Sequence, residues 1–461
     1  MTEAKWPNPF TLKNKKMISN YLKLAWRLLG RKKFFTAISL FGISFTLGIL
    51  MVILSFLQSE MGTQKPMTQK DDYVLLENLR LQTVIYDTLT TVDTIVENGL
   101  SIYDTTYNYE RRGAMMWNSG MNNGIAEDYL SDLETVKSMT IFSEEKYDVF
   151  VDGVKVTLNT LYGNPGYFDV FDHKLLEGRS LDDNDLKNAN QVAVISTKAA
   201  EMYFGVQTGI VGKEMLVDGK TFSVIGLYPH HGKIREFISP HMVVPYTLLN
   251  EDDQPTFYHG SFAAIFVKRD NRTLKQLKSE IKEKAKVIPL DHPSKPAGYN
   301  EVVLYPKTYD EMIARGIYYD DDPEKSYNIM KWVLLSLLAF FTLLPTLNLI
   351  NLNVSRIMDR SSEIGVRKAF GAHQGNILTQ FIIENIVLTI IGGAIGLALA
   401  LLIINAINTG GALGDAELAL SPKFFIYSFI VTLVFGVLSG LLPAYRMSKL
   451  QIVNALKQSR I

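Results

Sequence analysis

At 461 residues, with 47% hydrophobic residues and a mean hydropathy of +0.07, the chain is long enough for two or three domains and more apolar than a typical soluble globule. Its 47 basic and 47 acidic residues cancel, which gives nucleic-acid binding little support, and the absence of cysteine excludes disulfides, thiolate metal sites and cysteine nucleophiles. The neutral total hides basic ends, an acidic middle and four charge-free stretches.

The N-terminal segment 1–33 carries nine basic residues against one acid, Glu3. It is far longer than the basic lead of a signal peptide, and no small-residue cleavage site follows it, so the sequence predicts an uncleaved anchor. Within it, Met17–Leu29 sets Ile18, Tyr21, Leu22, Ala25, Trp26 and Leu29 at helical spacing among Lys23, Arg27, Arg31, Lys32 and Lys33. That pattern suits a basic amphipathic helix on the inner membrane surface.

Four runs lack Lys, Arg, Asp and Glu: Phe34–Gln58, Trp332–Ser355, Asn385–Gly414 and Phe424–Tyr445. Each is about 20 residues or more, which at roughly 1.5 Å per residue crosses a hydrocarbon core of roughly 30 Å. Four such runs would demand an improbably large core in a soluble protein. The expected architecture is therefore an α-helical membrane protein with four transmembrane helices, at 34–58, 332–355, 376–408 and 424–445, and a mixed α/β extracytoplasmic domain, 59–328, inserted between the first two. A loop at 356–375, an external turn at 409–422 and a tail at 446–461 complete the plan.

Lys and Arg assign the sides. The N-terminal segment, the loop with Arg356, Arg360, Arg367 and Lys368, and the tail with Arg446, Lys449, Lys457 and Arg460 should face the cytoplasm. Ser59–Lys331 holds 29 basic and 41 acidic residues, a balance of −12, and should lie outside. Both termini then lie on the cytoplasmic side of the membrane.

In the external domain, strands are expected at Tyr73–Leu81, Tyr147–Leu161, Gln191–Ile195, Lys220–Leu227, Met242–Pro245, Ala263–Lys268 and Val302–Tyr305, and helices at Thr197–Phe204, Leu274–Ala285 and Tyr309–Gly316. Turns are marked by Asp152-Gly153, Asn164-Pro165-Gly166 and Asp218-Gly219. No phosphate-binding loop occurs, since Gly212-Lys213 is followed by Glu214, and no G-x-S-x-G or H-E-x-x-H occurs either. No catalytic, cofactor-binding or metal-binding residue is assigned; His230, His231 and His241 read as surface histidines beside a proline-rich bend.

Of the ionisable residues, only Glu384, near the cytoplasmic start of the third span, could lie within a span, which argues against a polar translocation pathway. The spacings Ser44-x-x-x-Gly48, Gly392-x-x-x-Gly396 and Gly436-x-x-x-Gly440 allow helices to approach closely. Pro345 either kinks its helix or is accommodated by neighbours. Between spans two and three, Glu363, Arg367 and Lys368 present both signs of charge to the cytoplasm before Gly371-Ala372 interrupts the helix. With no motor on this chain, the partner there is expected to be an external one.

On these residues the chain resembles the FtsX/MacB family of ABC-transporter permeases. The resemblance runs through Arg356-Ile357, Arg360, Glu363-Ile364-Gly365-Val366-Arg367-Lys368-Ala369 and Gly371-Ala372, then Gln380-Phe381, Glu384 and Gly392-Gly393-x-x-Gly396. It resumes at Pro443-Ala444-x-Arg446 and Val453-x-Ala455-Leu456, and Leu22–Arg27 is similar to the family's first cytoplasmic helix. Gly163–Gly205 and Val224-Ile225-Gly226 are similar to the periplasmic core domain of MacB-like permeases, whereas residues 82–130 match the family pattern poorly.

The resemblance implies a mechanotransmitter. Arg356, Arg360, Glu363, Arg367 and Lys368 would couple to a cytoplasmic dimer of ABC ATPase subunits that holds the ATP and Mg, with no cofactor on this chain. It also implies a second permease chain, identical or paralogous, and a periplasmic adaptor or substrate protein as a further partner. The output would be export or extraction of a peptide, drug or lipoprotein. The alternative is a membrane receptor or regulator that signals to a cytoplasmic partner or controls a cell-wall hydrolase; a membrane-anchored enzyme finds no catalytic constellation here.

Overall fold

Long apolar helical runs and strand-forming runs occupy separate parts of the sequence, and they form separate bodies. In the computed structural model, the described residues are 33–97, 100–249, 257–292, 298–359, 366, 370, 374–414, 416–423 and scattered positions from 425 to 441. The chain divides into a helical unit, Met1–Gly62 with Lys331–Ile461, and an α/β unit, Thr63–Met330.

The helical unit contains α1 (Lys33–Met61), the greater part of α8 (Pro323–Asp359) and α9 (Gln374–Thr409). Among the described residues, two segments, Thr36–Met61 and Thr379–Thr409, are long and apolar enough to cross a membrane, with hydropathies of 2.4 and 2.7. Only 39% and 33% of the residues in their most apolar stretches are buried by the chain itself, so most of that apolar surface needs lipid or another helix to cover it. The run Trp332–Ser355 is helical throughout within α8, which continues through Pro345 without interruption. The amphipathic segment Met17–Leu29 and much of Phe424–Tyr445 lie outside the described residues.

Among the described residues, the α/β unit has twelve strands: β1 (Tyr73–Leu76), β2 (Asn78–Glu97), β3 (Leu100–Gly120), β4 (Val136–Val151), β5 (Val154–Gly163), β6 (Glu177–Gly178), β7 (Val192–Ser196), β8 (Glu214–Val217), β9 (Lys220–Tyr228), β10 (Met242–Pro245), β11 (Ala263–Lys268) and β12 (Glu301–Leu304). Its helices are α2 (Asn123–Leu130), α3 (Tyr167–Val170), α4 (Asp183–Lys187), α5 (Thr197–Phe204), α6 (Leu274–Lys284) and α7 (Tyr309–Ile317), followed by the start of α8. The main sheet is mixed, in the order β1-β11-β4-β5-β10-β7-β9-β6 with β8 on β9; β12-β2-β3 form a second sheet.

The period of two along each strand divides the core. Met242 and Val244 of β10, Ala193 and Ile195 of β7, and Ala264 and Phe266 of β11 join one buried cluster with Ile125, Ala126, Ala199, Leu277 and Ile281 from α2, α5 and α6. The alternate residues Val243, Val194, Ile265 and Val267 join another with Tyr167, Val170, Tyr309 and Met312 from α3 and α7. Helices thus cover both faces, which is why these strands read as continuous apolar runs.

Local chemistry fixes the ends. Asp152 and Gly153 have φ of 48° and 79°, Asp218 and Gly219 have 50° and 70°, and each pair closes a two-residue hairpin. The expected strand Tyr147–Leu161 is therefore two strands. Ser196 caps α5 by accepting from the Ala199 amide at 3.2 Å, and Gly205 ends it at φ 71°. The expected strand Tyr73–Leu81 is also divided: β1 pairs with β11 and β2 with β3, in different sheets. The paired strands β2 and β3, 20 and 21 residues long, form a ribbon that the strand reading did not anticipate beyond Leu81.

The histidines belong to the interior rather than to the surface expected for them. His241 is 3% exposed, and its Nδ1 accepts from the Asn159 amide at 3.0 Å; His230 and His231 are half-buried. His173, 6% exposed, donates from Nε2 to the Ile238 carbonyl at 2.8 Å and lies against the Tyr167 and Tyr228 rings, while its Nδ1 is buried with no hydrogen-bond partner among the described residues. Among the described residues, no group of three or more His, Asp or Glu side chains is placed to hold a metal ion.

Burial pushes the His173 imidazole down to about 3, with the neighbouring His231 and His230 adding to the effect. The unfolded chain takes up that proton near pH 6.5 and the folded chain does not. This contribution is therefore complete above pH 6.5 and is lost as pH falls from there toward 3, by up to about 1.4 kcal/mol per unit. Thermal melts across this window should show that slope in the native chain and a shallower one in His173→Gln; equal slopes would refute the assignment.

Candidate functional site

In the helical unit, α1 and α9 meet through glycines. A Cβ placed on Gly48 would lie 3.3 Å from the Gly396 carbonyl oxygen, and one on Gly396 would lie 2.8 Å from the Ser44 oxygen and 3.0 Å from Leu47 Cβ. A Cβ on Gly392 would come within 2.6 Å of the Ile43 side chain. Two of the three small-residue spacings thus face each other, with Ile43, Leu47, Met51, Leu388 and Ala400 packed around them. Ser44 is buried, and its hydroxyl donates back to the Phe41 carbonyl at 3.2 Å. Glu384, 3% exposed, accepts from Gln380 Nε2 at 2.9 Å one helical turn away. The third pair, Gly436 and Gly440, lies outside the described residues, as do Arg360, Glu363, Arg367 and Lys368; Arg356 falls in the last turns of α8.

In the α/β unit, the segment that enters from α1 and the segment that leaves toward α8 are tied together. Leu75 and Lys307 exchange backbone hydrogen bonds of 2.6 and 2.9 Å, forming an antiparallel bridge. Lys70, 4% exposed, pairs with Asp310 at 2.7 Å, and buried Lys307 pairs with Glu77. Met67, fully buried, anchors the incoming segment in the core shared with Tyr309 and Met312.

Arg80 completes this junction. It is 3% exposed and donates from Nε to Asn118 Oδ1 at 2.8 Å, from Nη1 to Tyr305 Oη at 2.9 Å and from Nη2 to Asp321 Oδ1 at 2.8 Å, with Nη2 also 3.2 Å from Tyr319 Oη. Its guanidinium carbon is 4.4 Å from the centre of the Tyr305 ring. The Arg80 hydrogen bond holds the Asp321 carboxyl below the usual carboxylate range. One side chain therefore joins β2, β3, the strand exit after β12 and the segment two residues ahead of α8.

Residues 36–284 match the MacB-like periplasmic core domain, and residues 335–452 match the FtsX-like permease C-terminal domain. The chain belongs to the MacB/FtsX family of ABC transporter permeases. Among its relatives is the uncharacterized ABC transporter permease YknZ of Bacillus subtilis (strain 168), 28% identical over 339 residues, covering 72% of this chain and 76% of YknZ. The macrolide export ATP-binding/permease protein MacB of Psychrobacter arcticus is 28% identical over 296 residues; that match covers 63% of this chain but only 41% of MacB. The periplasmic region of MacB from Actinobacillus actinomycetemcomitans aligns over 44% of this chain and 85% of its own, at 21% identity and a TM-score of 0.34.

For a MacB/FtsX permease, the junction is a site that the sequence does not flag. Arg80 stands between Leu79 and Leu81, both fully buried, so strand alternation would send it to solvent. It is buried instead because both faces of β2 are covered at this point. The one available signal is a cation between two leucines in an acidic domain, followed far downstream by the acidic run Asp320-Asp321-Asp322.

The α1–α9 contact yields a prediction. Gly396→Val should lower the unfolding temperature of the purified chain in detergent, because the added carbons meet backbone and overpacking costs about 1–3 kcal/mol. Gly48→Ala, with 3.3 Å available, should cost less. If Gly396→Val melted like the native chain, the contact would not be tight.

Proposed function

We propose that the chain works as a mechanotransmitter: a permease subunit that carries motion from a separate cytoplasmic ATPase dimer to its extracytoplasmic α/β domain. On this reading the apolar runs make four spans, with 59–328 inserted between the first two and both termini in the cytoplasm. Two permease chains pair, and the loop carrying Arg356, Arg360, Glu363, Arg367 and Lys368 receives the ATPases. Relatives named for macrolide export and for pyoverdine export suggest export or extraction of a small molecule, peptide or lipoprotein outside the membrane.

The observation that carries the proposal is the junction. Force that is to reach the α/β domain must arrive through the segments after α1 and before α8, and those are the segments that the Leu75–Lys307 bridge, the Lys70–Asp310 pair and Arg80 fasten to the sheets. Charge-poor apolar runs agree with it, since a pathway for polar cargo through the bilayer centre would need ionisable groups there.

Two experiments test it. Glu363→Lys with Arg367→Glu should abolish this chain's stimulation of ATP turnover by the co-purifying ATPase while leaving membrane insertion intact; normal stimulation would refute the coupling assignment. Separately, an environment-sensitive label on Ile317→Cys, an exposed position in a cysteine-free chain, should report an ATP-dependent change. Arg80→Met should suppress that change with ATP turnover retained, because an apolar replacement of similar length removes the clamp without stranding a buried charge. An unchanged signal in Arg80→Met would remove the junction from the transmission route.

A further inference from the structure

Beside the junction, whose Lys70 and Asp310 also line it, α6, α7 and the first turns of α8 border a cleft of about 800 Å³ within the α/β unit. Helix α6 lines it with Lys275, Lys278 and Lys282, which at spacings of three and four share one side of the helix, while Leu277 and Ile281 are buried in the core. Lys278 is committed to Glu311 at 2.6 Å, and Glu311 is in turn held by the Thr308 amide at 2.8 Å. Lys275 and Lys282 are exposed and make no ion pair among the described residues. On the α8 side of the cleft, Glu324 is likewise exposed and without an ion pair among the described residues. The cleft thus offers two uncommitted ammonium groups and one uncommitted carboxylate.

Along α8, one edge of the cleft lies close in sequence to the second apolar run. The last residue lining the cleft, Asn328, is four residues before Trp332, where the second apolar run begins, and the intervening backbone is helical. Four helical residues rise about 6 Å. The headgroup layer on each side of a hydrocarbon core is itself roughly 5–8 Å thick. Trp332 is 69% exposed, as befits an interfacial tryptophan.

We propose that this cleft holds the headgroup of an outer-leaflet phospholipid, with the phosphate on Lys275 and Lys282 and the headgroup ammonium on Glu324. Phosphatidylethanolamine is the fitting class, since it carries both charges and a primary ammonium that can donate to a carboxylate. A purely anionic headgroup satisfies the lysines but leaves Glu324 opposed to negative charge. The proposal rests on the reading that Trp332–Ser355 crosses the bilayer, and not on ATPase coupling.

The test is native mass spectrometry of the full chain in detergent, titrated with phosphatidylethanolamine, phosphatidylglycerol, a short acidic peptide and soluble phosphoethanolamine. The native chain should retain phosphatidylethanolamine over phosphatidylglycerol, and Lys275→Glu with Lys282→Glu should weaken that retention about tenfold, each lysine near the surface giving a several-fold effect. Glu324→Gln should move the preference toward phosphatidylglycerol. Both variants alter exposed residues, and unchanged circular dichroism would confirm that they fold. Identical lipid adducts in the native chain and the lysine variant would overturn the proposal. So would tighter binding of the peptide or of free phosphoethanolamine than of the lipid, which would make this a site for a soluble ligand. Because adducts are read without nucleotide or ATPase, a failure of mechanical coupling would leave this result untouched.

Discussion

A guanidinium removed from water must be met on every side, and in this protein Arg80 is met by four side chains from three other segments of chain. Removing a hydrated cation from solvent costs several kcal/mol even after relaxation, and only well-placed acceptors offset it. Asn118, Tyr305, Tyr319 and Asp321 supply them, and Tyr305 also offers a ring face. None of these groups is near Arg80 in sequence, the closest being Asn118, 38 residues away. The small sheet, the ribbon base and the approach to α8 are therefore held by an interaction that exists only when all are in place. Exposed pairs such as Lys286–Glu283 and Lys155–Asp148 impose no such condition, since water replaces either partner at little cost.

The helical unit solves a different problem. Between apolar helices in lipid there is no water to expel, so association depends on how closely the backbones can come. Gly48, Gly392 and Gly396 remove the side chains that would hold α1 and α9 apart, and Ser44 satisfies its hydroxyl within its own helix. Polar specificity in the α/β unit and close apolar contact in the helical unit are thus each suited to the solvent that surrounds them.

Much of this organisation was legible in the sequence because it rests on local chemistry. Met242–Pro245, Ala263–Lys268 and Thr197–Phe204 form over the residues that their patterns indicate, bounded by turn and cap residues whose preferences are short-range. Ser44, Gly48, Gly392 and Gly396 could be picked out by spacing, although which helices would meet could not. What escaped notice depends on distant partners. His173 and His241 are interior because aromatic rings and an amide from other segments close over them, and Arg80 is buried because Tyr305, Tyr319 and Asp321, all more than 200 residues away, close over it. One sequence without its contacts carries no mark of either.

The ribbon shows how a strong local signal can still be passed over. Asn98-Gly99 is the dipeptide most suited to a two-residue hairpin, and Glu97 and Leu100 pair on either side of it. Yet the flanking runs lack the apolar alternation that marks a half-buried strand. Beyond Gln82, among the described residues, no third strand joins β2 and β3, and a ribbon of two strands is marginally stable in water at best. Its order must then be imposed from the base, where β12 pairs with β2, Gly120 bridges to Gly260 and Arg80 binds Asn118. The clamp that joins the chain's two approaches to the α/β domain is thus also the clamp on which the ribbon stands, so any displacement arriving at Arg80 is delivered to the ribbon's root.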